Sequence, residues 1–199
     1  MVELADFLPY ILPHAQSAPH PAIYQNLRSA AIEFCRSTRS WRHAAVFPVL
    51  DDTNIVVPLP IGANLFEVDK AWLGTRQLDP LPYADVDLDR EPGLAQFLSC
   101  VTGNEFVLSP PESGDLRMTM FLEPARDVEE LPDYLYHDHA ETLAHGALAK
   151  LLILPNQPYT NPAMAGNFAA LYQMAVDRLF SNNVRGKQRA PLRSRASFY

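Results

Sequence analysis

The most regular hydrophobic pattern in the chain runs from Leu131 to Val184. Tyr136, Ala140, Leu143, Ala147 and Leu151 recur at steps of three and four, and after Pro155-Asn156-Gln157-Pro158 the same period returns in Met164, Phe168, Leu171, Ala175 and Leu179. Residues at that spacing share one face of an α-helix, so the segment predicts two amphipathic helices folded back on each other and packed through these positions. Pro132 and Asp133 mark the first start, Lys150 lies near the first stop, and Asn161-Pro162 reads as an N-cap followed by the favoured N1 proline. The small residues Ala140, Ala144, Gly146 and Ala147 would let a neighbouring backbone come close.

The same period appears near the N-terminus. Pro21 opens a helix whose apolar face is Ile23, Leu27, Ala30, Ala31, Phe34 and Cys35, ending near Thr38. Its other face, with Gln25, Arg28, Ser29 and Arg36, suits a solvated or oligomer-facing surface. Ahead of it, Leu4 to Leu12 predicts a short helix, with Pro9 tolerated in a first turn.

From Trp41 the pattern becomes that of β-strands. Ala45 to Leu50 and Ile55 to Leu59, joined by Asp51-Asp52-Thr53-Asn54, predict a hairpin. Leu65 to Leu73 and Arg76 to Leu78 flank Gly74-Thr75, Gln96 to Val101 and Glu105 to Leu108 flank Thr102-Gly103-Asn104, and Leu116 to Leu122 is the last strand. The expected fold class is therefore α+β: a helical bundle of N-terminal helices plus a C-terminal helical hairpin, carrying an inserted antiparallel β domain and ending in an extended arm. The expected boundaries are 1–40 with 131–184 for the helical domain, 41–130 for the β region and 185–199 for the arm.

Composition narrows the class. At 199 residues, 48% hydrophobic and 20% charged, the chain has room for one real core, and 18 prolines against 8 glycines suggest many fixed loop and strand ends. No apolar run reaches the roughly 20 residues of a membrane helix, and no basic-then-apolar leader opens the sequence, so the expectation is a cytoplasmic protein with no membrane partner. Cys35 and Cys100 read as two buried free thiols. The net charge of −7 hides a split: Arg185, Lys187, Arg189, Arg193 and Arg195 lie in a final segment without acids, leaving 11 basic residues against 23 acidic ones before it.

Residues that could carry chemistry fail on spacing. His137, Glu141 and His145 share a helical face, but positions eight apart are separated by about 12 Å along the axis, too far for one ion to hold both histidines. His139-Ala140-Glu141 lacks the second histidine of a zincin motif. Asp85, Asp87, Asp89 and Glu91 imitate a calcium loop, yet the required glycine and glutamate positions hold Arg90 and Gln96. Nucleophile elbows, phosphate loops, Cys-x-x-Cys pairs and dinucleotide fingerprints are missing from the sequence. The sequence thus assigns no catalytic residue, metal ligand or cofactor, and the expectation is a protein that is not an enzyme. The tail supports three readings, nucleic-acid binding, a docking arm or a disordered end; composition alone favours disorder slightly, but Leu192, Phe198 and Tyr199 are apolar anchors among arginines and an acidic body is a poor partner for a DNA-binding arm, so a protein-docking arm is the better functional reading.

Three runs resemble the head-to-tail adaptor (connector) proteins of tailed bacteriophages, with the podophage tail tubular protein A group nearest: Leu131-Pro132-Asp133-Tyr134-Leu135, then Ala144-His145-Gly146-Ala147-Leu148-Ala149-Lys150-Leu151-Leu152, then Pro155-Asn156-Gln157-Pro158-Tyr159-Thr160-Asn161-Pro162. Leu12-Pro13, the segment Ala30 to Thr38 and Trp41 are similar as well. The resemblance covers both ends of the chain and touches the β region by position only. It implies a structural virion protein, a homododecameric neck ring that binds the portal at the head–tail junction, lines the DNA channel and meets the next tail or nozzle protein. Genomic DNA would pass without sequence-specific binding, and the subunit would reside in the host cytoplasm before virus assembly. It also implies that Arg185, Lys187, Arg189, Leu192, Arg193, Arg195, Phe198 and Tyr199 form a portal-docking arm. The competing class is a small regulatory or nucleic-acid-binding protein that uses its basic tail.

Overall fold

The computed structural model describes residues 1–50, 54–87 and 91–185. The chain divides into two compact units, one of Met1–Ser40 with Arg126 onward and the other of Trp41–Ala125.

The first unit is mainly helical. After the two-residue strand β1 (Val2–Glu3) and a 3-10 turn, α1 (Leu8–Ile11) carries Pro9 in its first turn. Helix α2 (His20–Thr38) buries Ile23, Leu27, Ala30, Ala31, Phe34 and Cys35. It stops where Arg39 turns left-handed (φ 51°) and donates its N–H to the Cys35 carbonyl at 2.9 Å. β9 (Glu130–Leu131) pairs antiparallel with β1, then α3 (Asp133–Leu151) and α4 (Pro162–Arg185) follow. Asn161 caps α4, its side-chain oxygen accepting from the Met164 N–H at 3.2 Å. Helix α3 packs against both α2 and α4, and Phe7, Ile11, Leu27, Phe34, Leu135 and Leu143 are fully enclosed.

The second unit holds β2 (Arg42–Val49), β3 (Ile55–Val56), β4 (Ala63–Leu73), β5 (Arg76–Pro80), β6 (Phe97–Thr102), β7 (Glu105–Ser109) and β8 (Gly114–Pro124). They form one seven-stranded sheet in the order β2-β8-β4-β5-β6-β7-β3. Every second residue of β8 from Leu116 to Leu122 is buried, the period expected of a strand with one face on a core. Gly74 (φ 59°) and Gly103 (φ 54°) supply the left-handed residues of the β4–β5 and β6–β7 turns.

This sheet corrects the expected fold class. The chain is α+β, but a helical bundle with an inserted antiparallel β domain does not describe a large mixed sheet with its own core of Val57, Leu73, Leu116, Met118, Met120 and Leu122. β5 and β6 run parallel, Asp79 opposite Phe97 and Pro80 opposite Leu98. A parallel pair needs a crossover of a dozen or more residues, and the stretch from Leu81 to Gln96 is that connection. The expected hairpin between Ala45–Leu50 and Ile55–Leu59 is corrected too. β2 pairs along all its length with β8, and β3 pairs with β7 at the far end of the sheet. The alternating burial of β2 matches the long alternating strand β8, whose register outweighs the short polar connection as a pairing signal. Cys35 is a buried thiol, as expected, whereas Cys100 is exposed, and neither forms a disulfide.

Candidate functional site

No constellation of nucleophile, base and orienting group comes together among the described residues, and the features that stand out are surfaces on the helical unit. They begin at the α3–α4 seam. Of the predicted packing residues on α3, Ala140, Leu143, Ala147 and Leu151 are buried, and Tyr136 is half-buried with its ring edge-on to Phe7 at 5.2 Å. On α4, Phe168 is buried, while Met164, Ala175 and Leu179 are half-buried.

Leu171 requires correction: it is 47% exposed. The buried row of α4 is instead Ala165, Phe168, Tyr172 and Val176. The cause is the pairing of Tyr172 with Gly146. A Cβ built on Gly146 would lie 2.7 and 2.8 Å from Tyr172 ring carbons and 3.0 Å from the Ala30 Cβ, so three helices meet at the one place where α3 has no side chain. The Tyr172 hydroxyl donates to the Ala30 carbonyl at 3.0 Å. Burial, with Glu33 and Cys35 nearby, pushes the Tyr172 phenol far above its ordinary pKa, so it stays a neutral donor. Leucine outranks tyrosine on a hydrophobicity scale, which is why periodicity selects Leu171. The available signal for Tyr172 is its polar tip beside a glycine on the facing helix.

Of the candidate histidines, His137 is exposed, while His139 and His145 pack against aromatic rings. His145 stacks on Phe168 with ring centroids 5.3 Å apart, His14 meets the same ring at 5.0 Å, and His139 lies 4.9 Å from Phe34. Burial lowers the His145 pKa, Glu141 raises it and His14 lowers it. Among the described residues no group of three or more His, Cys, Asp or Glu is placed to hold a metal ion, and no helix is long and apolar enough to cross a membrane.

Two surfaces of the helical unit bear on assembly. The side of α4 opposite its buried row exposes Met174 (69%) and, flanking it, Leu171. About 80° round the helix from Met174, a Cβ added at Gly166 would have nothing within 4 Å. The second surface is a groove of about 570 Å3 along the outward face of α2, lined by Arg28, Glu33, Arg36 and Arg126 among others, all of the helical unit. The Arg28 Nε donates to the Val128 carbonyl at 2.6 Å, and Lys150 pairs with Glu33 at 2.8 Å. Of the predicted arm, Arg185 is the last residue of α4; Lys187, Arg189, Leu192, Arg193, Arg195, Phe198 and Tyr199 lie outside the described residues.

No protein-family model matches the chain, and no curated protein is significantly similar to it.

Proposed function

We propose that this chain is a structural, non-catalytic subunit of the neck of a tailed bacteriophage, assembling with copies of itself into a ring beneath the portal. The ring encloses the channel through which DNA passes, and the basic C-terminal segment reaches the portal. Two lines support the reading. One is the resemblance carried by Leu131–Leu135, Ala144–Leu152 and Pro155–Pro162. The other is the outer side of α4, where Leu171 and Met174 are 47% and 69% exposed among the polar residues Asn167, Gln173, Asp177 and Arg178. A small apolar pair inside a polar rim is a place where a neighbouring copy can bury surface. The acidic remainder of the chain, 11 basic residues against 23 acidic ones outside the tail, also suits a channel wall that does not hold DNA.

The test is to mix the purified full chain with its portal, measure the mass of the product and view it in negative stain. A ring seated on the portal is the expected result. A chain that neither forms rings nor binds portal-containing heads, with a tail that confers DNA affinity on a neutral carrier, would overturn the reading in favour of nucleic-acid binding.

A further inference from the structure

We infer that the β unit binds an extended, basic peptide segment of another protein, which adds as a strand along the open edge of β4. The inference goes beyond the ring reading and does not depend on it.

β4 is paired along unequal lengths on its two sides. Its ladder with β8 runs from Ala63 to Leu73, whereas its ladder with β5 covers Ala71 to Leu73 only. Among the described residues no strand follows β4 on that second side from Leu65 to Lys70. The register explains why the ladder stops. Leu73, Trp72 and Ala71 lie opposite Arg76, Gln77 and Leu78, and Asp79 turns its N–H to the Gln96 carbonyl on the β6 side. The next amide aimed at β4 would belong to residue 80, and Pro80 has no N–H to give. From there the chain stays with β6, Leu81 donating to the Leu98 carbonyl at 3.1 Å. Breaks in the β4–β8 register at Phe66 and Asp69 bend β4 over the same stretch.

The fork so formed holds a groove of about 560 Å3, bordered by every residue from Leu65 to Ala71 and, across from them, by Pro80, Leu81 and Pro82. The buried side chains of Leu78, Leu98 and Phe106 also line it. Successive residues of a strand point to opposite faces, so seven in a row border one groove only where it runs along the strand's edge, past the backbone. The two walls differ in what they offer. Pro80 and Pro82 have no N–H and that of Leu81 is already donated, so a guest finds its ladder on β4 and an apolar surface opposite. Leu65 to Lys70 span about 20 Å, room for five or six extended residues. Main-chain pairing on one side with alternate side chains in apolar pockets is how a strand is added to a sheet edge.

Charge selects the guest. Residues 41 to 125 carry 13 acidic side chains against 5 basic ones. At the groove itself Glu67 and Asp69 stand beside Lys70, and Asp69 faces Arg42 at 3.9 Å. The sign therefore comes from the unit as a whole rather than from one carboxylate, and it favours a cationic segment. A second copy is the poorer occupant. Two β4 edges side by side would bring two acidic units together, and the edge of a folded sheet would carry its next strand into the wall of Pro80 to Pro82. A single extended segment meets neither obstacle.

The test uses the full chain and a fluorescein-labelled peptide, acetyl-Lys-Val-Arg-Val-Lys-Val-Arg-amide. Saturable binding by fluorescence anisotropy is expected, with slowed hydrogen exchange at backbone amides between residues 65 and 70. Alternate N–H groups of a strand point to opposite edges, so methylating the nitrogens of the valines, or instead those of the central Arg and Lys, should weaken binding about tenfold or more for one of the two sets and not for the other. Glu in place of each Lys and Arg should weaken it as much. Cys100 is exposed at the groove and Cys35 is buried, so a bulky maleimide placed on Cys100 should abolish binding with the circular dichroism unchanged. Absence of binding would overturn the inference. Binding that survives both methylations or the Cys100 cap, or that leaves exchange at 65 to 70 unchanged, would reduce it to surface attraction and overturn it too. A peptide of residues 186–199 that binds more tightly with the same protection would give the groove to this chain's own tail instead of a second protein.

Discussion

Replacing Gly146 with alanine tests the central packing of the helical unit, and comparison with Gly166→Ala separates packing from helix propensity. Both glycines lie inside helices, where alanine is favoured by about 1 kcal/mol. At Gly166 nothing lies within 4 Å of the added methyl, so that variant should gain up to about 1 kcal/mol. At Gly146 the methyl would meet two Tyr172 ring carbons at 2.7 and 2.8 Å and the Ala30 Cβ at 3.0 Å. Neither neighbour is the end of a flexible chain. The ring is anchored by its hydroxyl on Ala30, and Ala30 is itself on a helix. Overpacking of this kind costs about 1 to 3 kcal/mol, and displacing the ring forfeits a buried hydrogen bond contributing about 1 kcal/mol. Set against the propensity gain, the net expectation is a loss of about 2 kcal/mol, or about 4 to 8 °C in Tm for a chain of this size. Thermal and denaturant unfolding followed by far-ultraviolet circular dichroism measures both variants. Tyr172→Leu should remove most of the Gly146→Ala penalty, and the coupling appears as a non-additive double mutant. If Gly146→Ala stabilises as Gly166→Ala does, the three-helix contact has been misread.

Leu143→Ala and Phe168→Ala should each cost about 2 to 5 kcal/mol, whereas Leu171→Ala should change the free subunit by no more than about 0.5 kcal/mol and act on ring yield instead; denaturant midpoints and assembled mass distinguish the two effects. Burial lowers the folded-state pKa of His145 below the unfolded value, so the unfolded chain binds the proton more readily. Its contribution is intact above the unfolded pKa and declines as pH falls from there towards the folded pKa. The pH dependence of the unfolding midpoint should flatten in His145→Gln, and an unchanged slope would exclude His145 as its source. Deleting residues 186–199 should leave the thermal transition nearly unchanged and abolish attachment to portal-containing heads, and Arg193→Glu with Arg195→Glu should weaken attachment in a salt-dependent way. Normal attachment by the deleted chain would remove the arm from the docking step.

What sequence periodicity could reveal depended on how local the deciding contacts were. The N-cap at Asn161 and the left-handed glycines at positions 74 and 103 are written within a few residues of where they act. Strand partners are not. β2 pairs with β8, whose partner residues run from Phe121 at Arg42 to Gly114 at Val49, and nothing near β2 encodes that choice. The parallel β5–β6 pair was hidden for the same reason, because its crossover reads as an irregular acidic loop. On α4 the error was one of rotation. Leu171 and Tyr172 differ by about 100° around the helix, and the choice between them was made by a glycine on another element. The charged surfaces were visible only as composition: Arg28 and Arg36 appeared as an ordinary polar face, and Arg126 could not be joined to them without the fold.

The distribution of glycine carries one more step of reasoning. Gly146 is required by its neighbours, so its conformational cost is offset inside the subunit. Gly166 is not: it sits in α4 with nothing within 4 Å of an added Cβ, about 80° round the helix from Met174, which is 69% exposed. A free subunit would be more stable with alanine there, and less prone to association with a polar residue in place of Met174. Both features become favourable together only when another surface comes close to α4. Charge contacts at an exposed rim contribute little to affinity, so apolar burial at α4 would have to supply it. Met174→Glu should therefore reduce ring yield at every salt concentration, because what is lost is apolar burial rather than a screened charge pair.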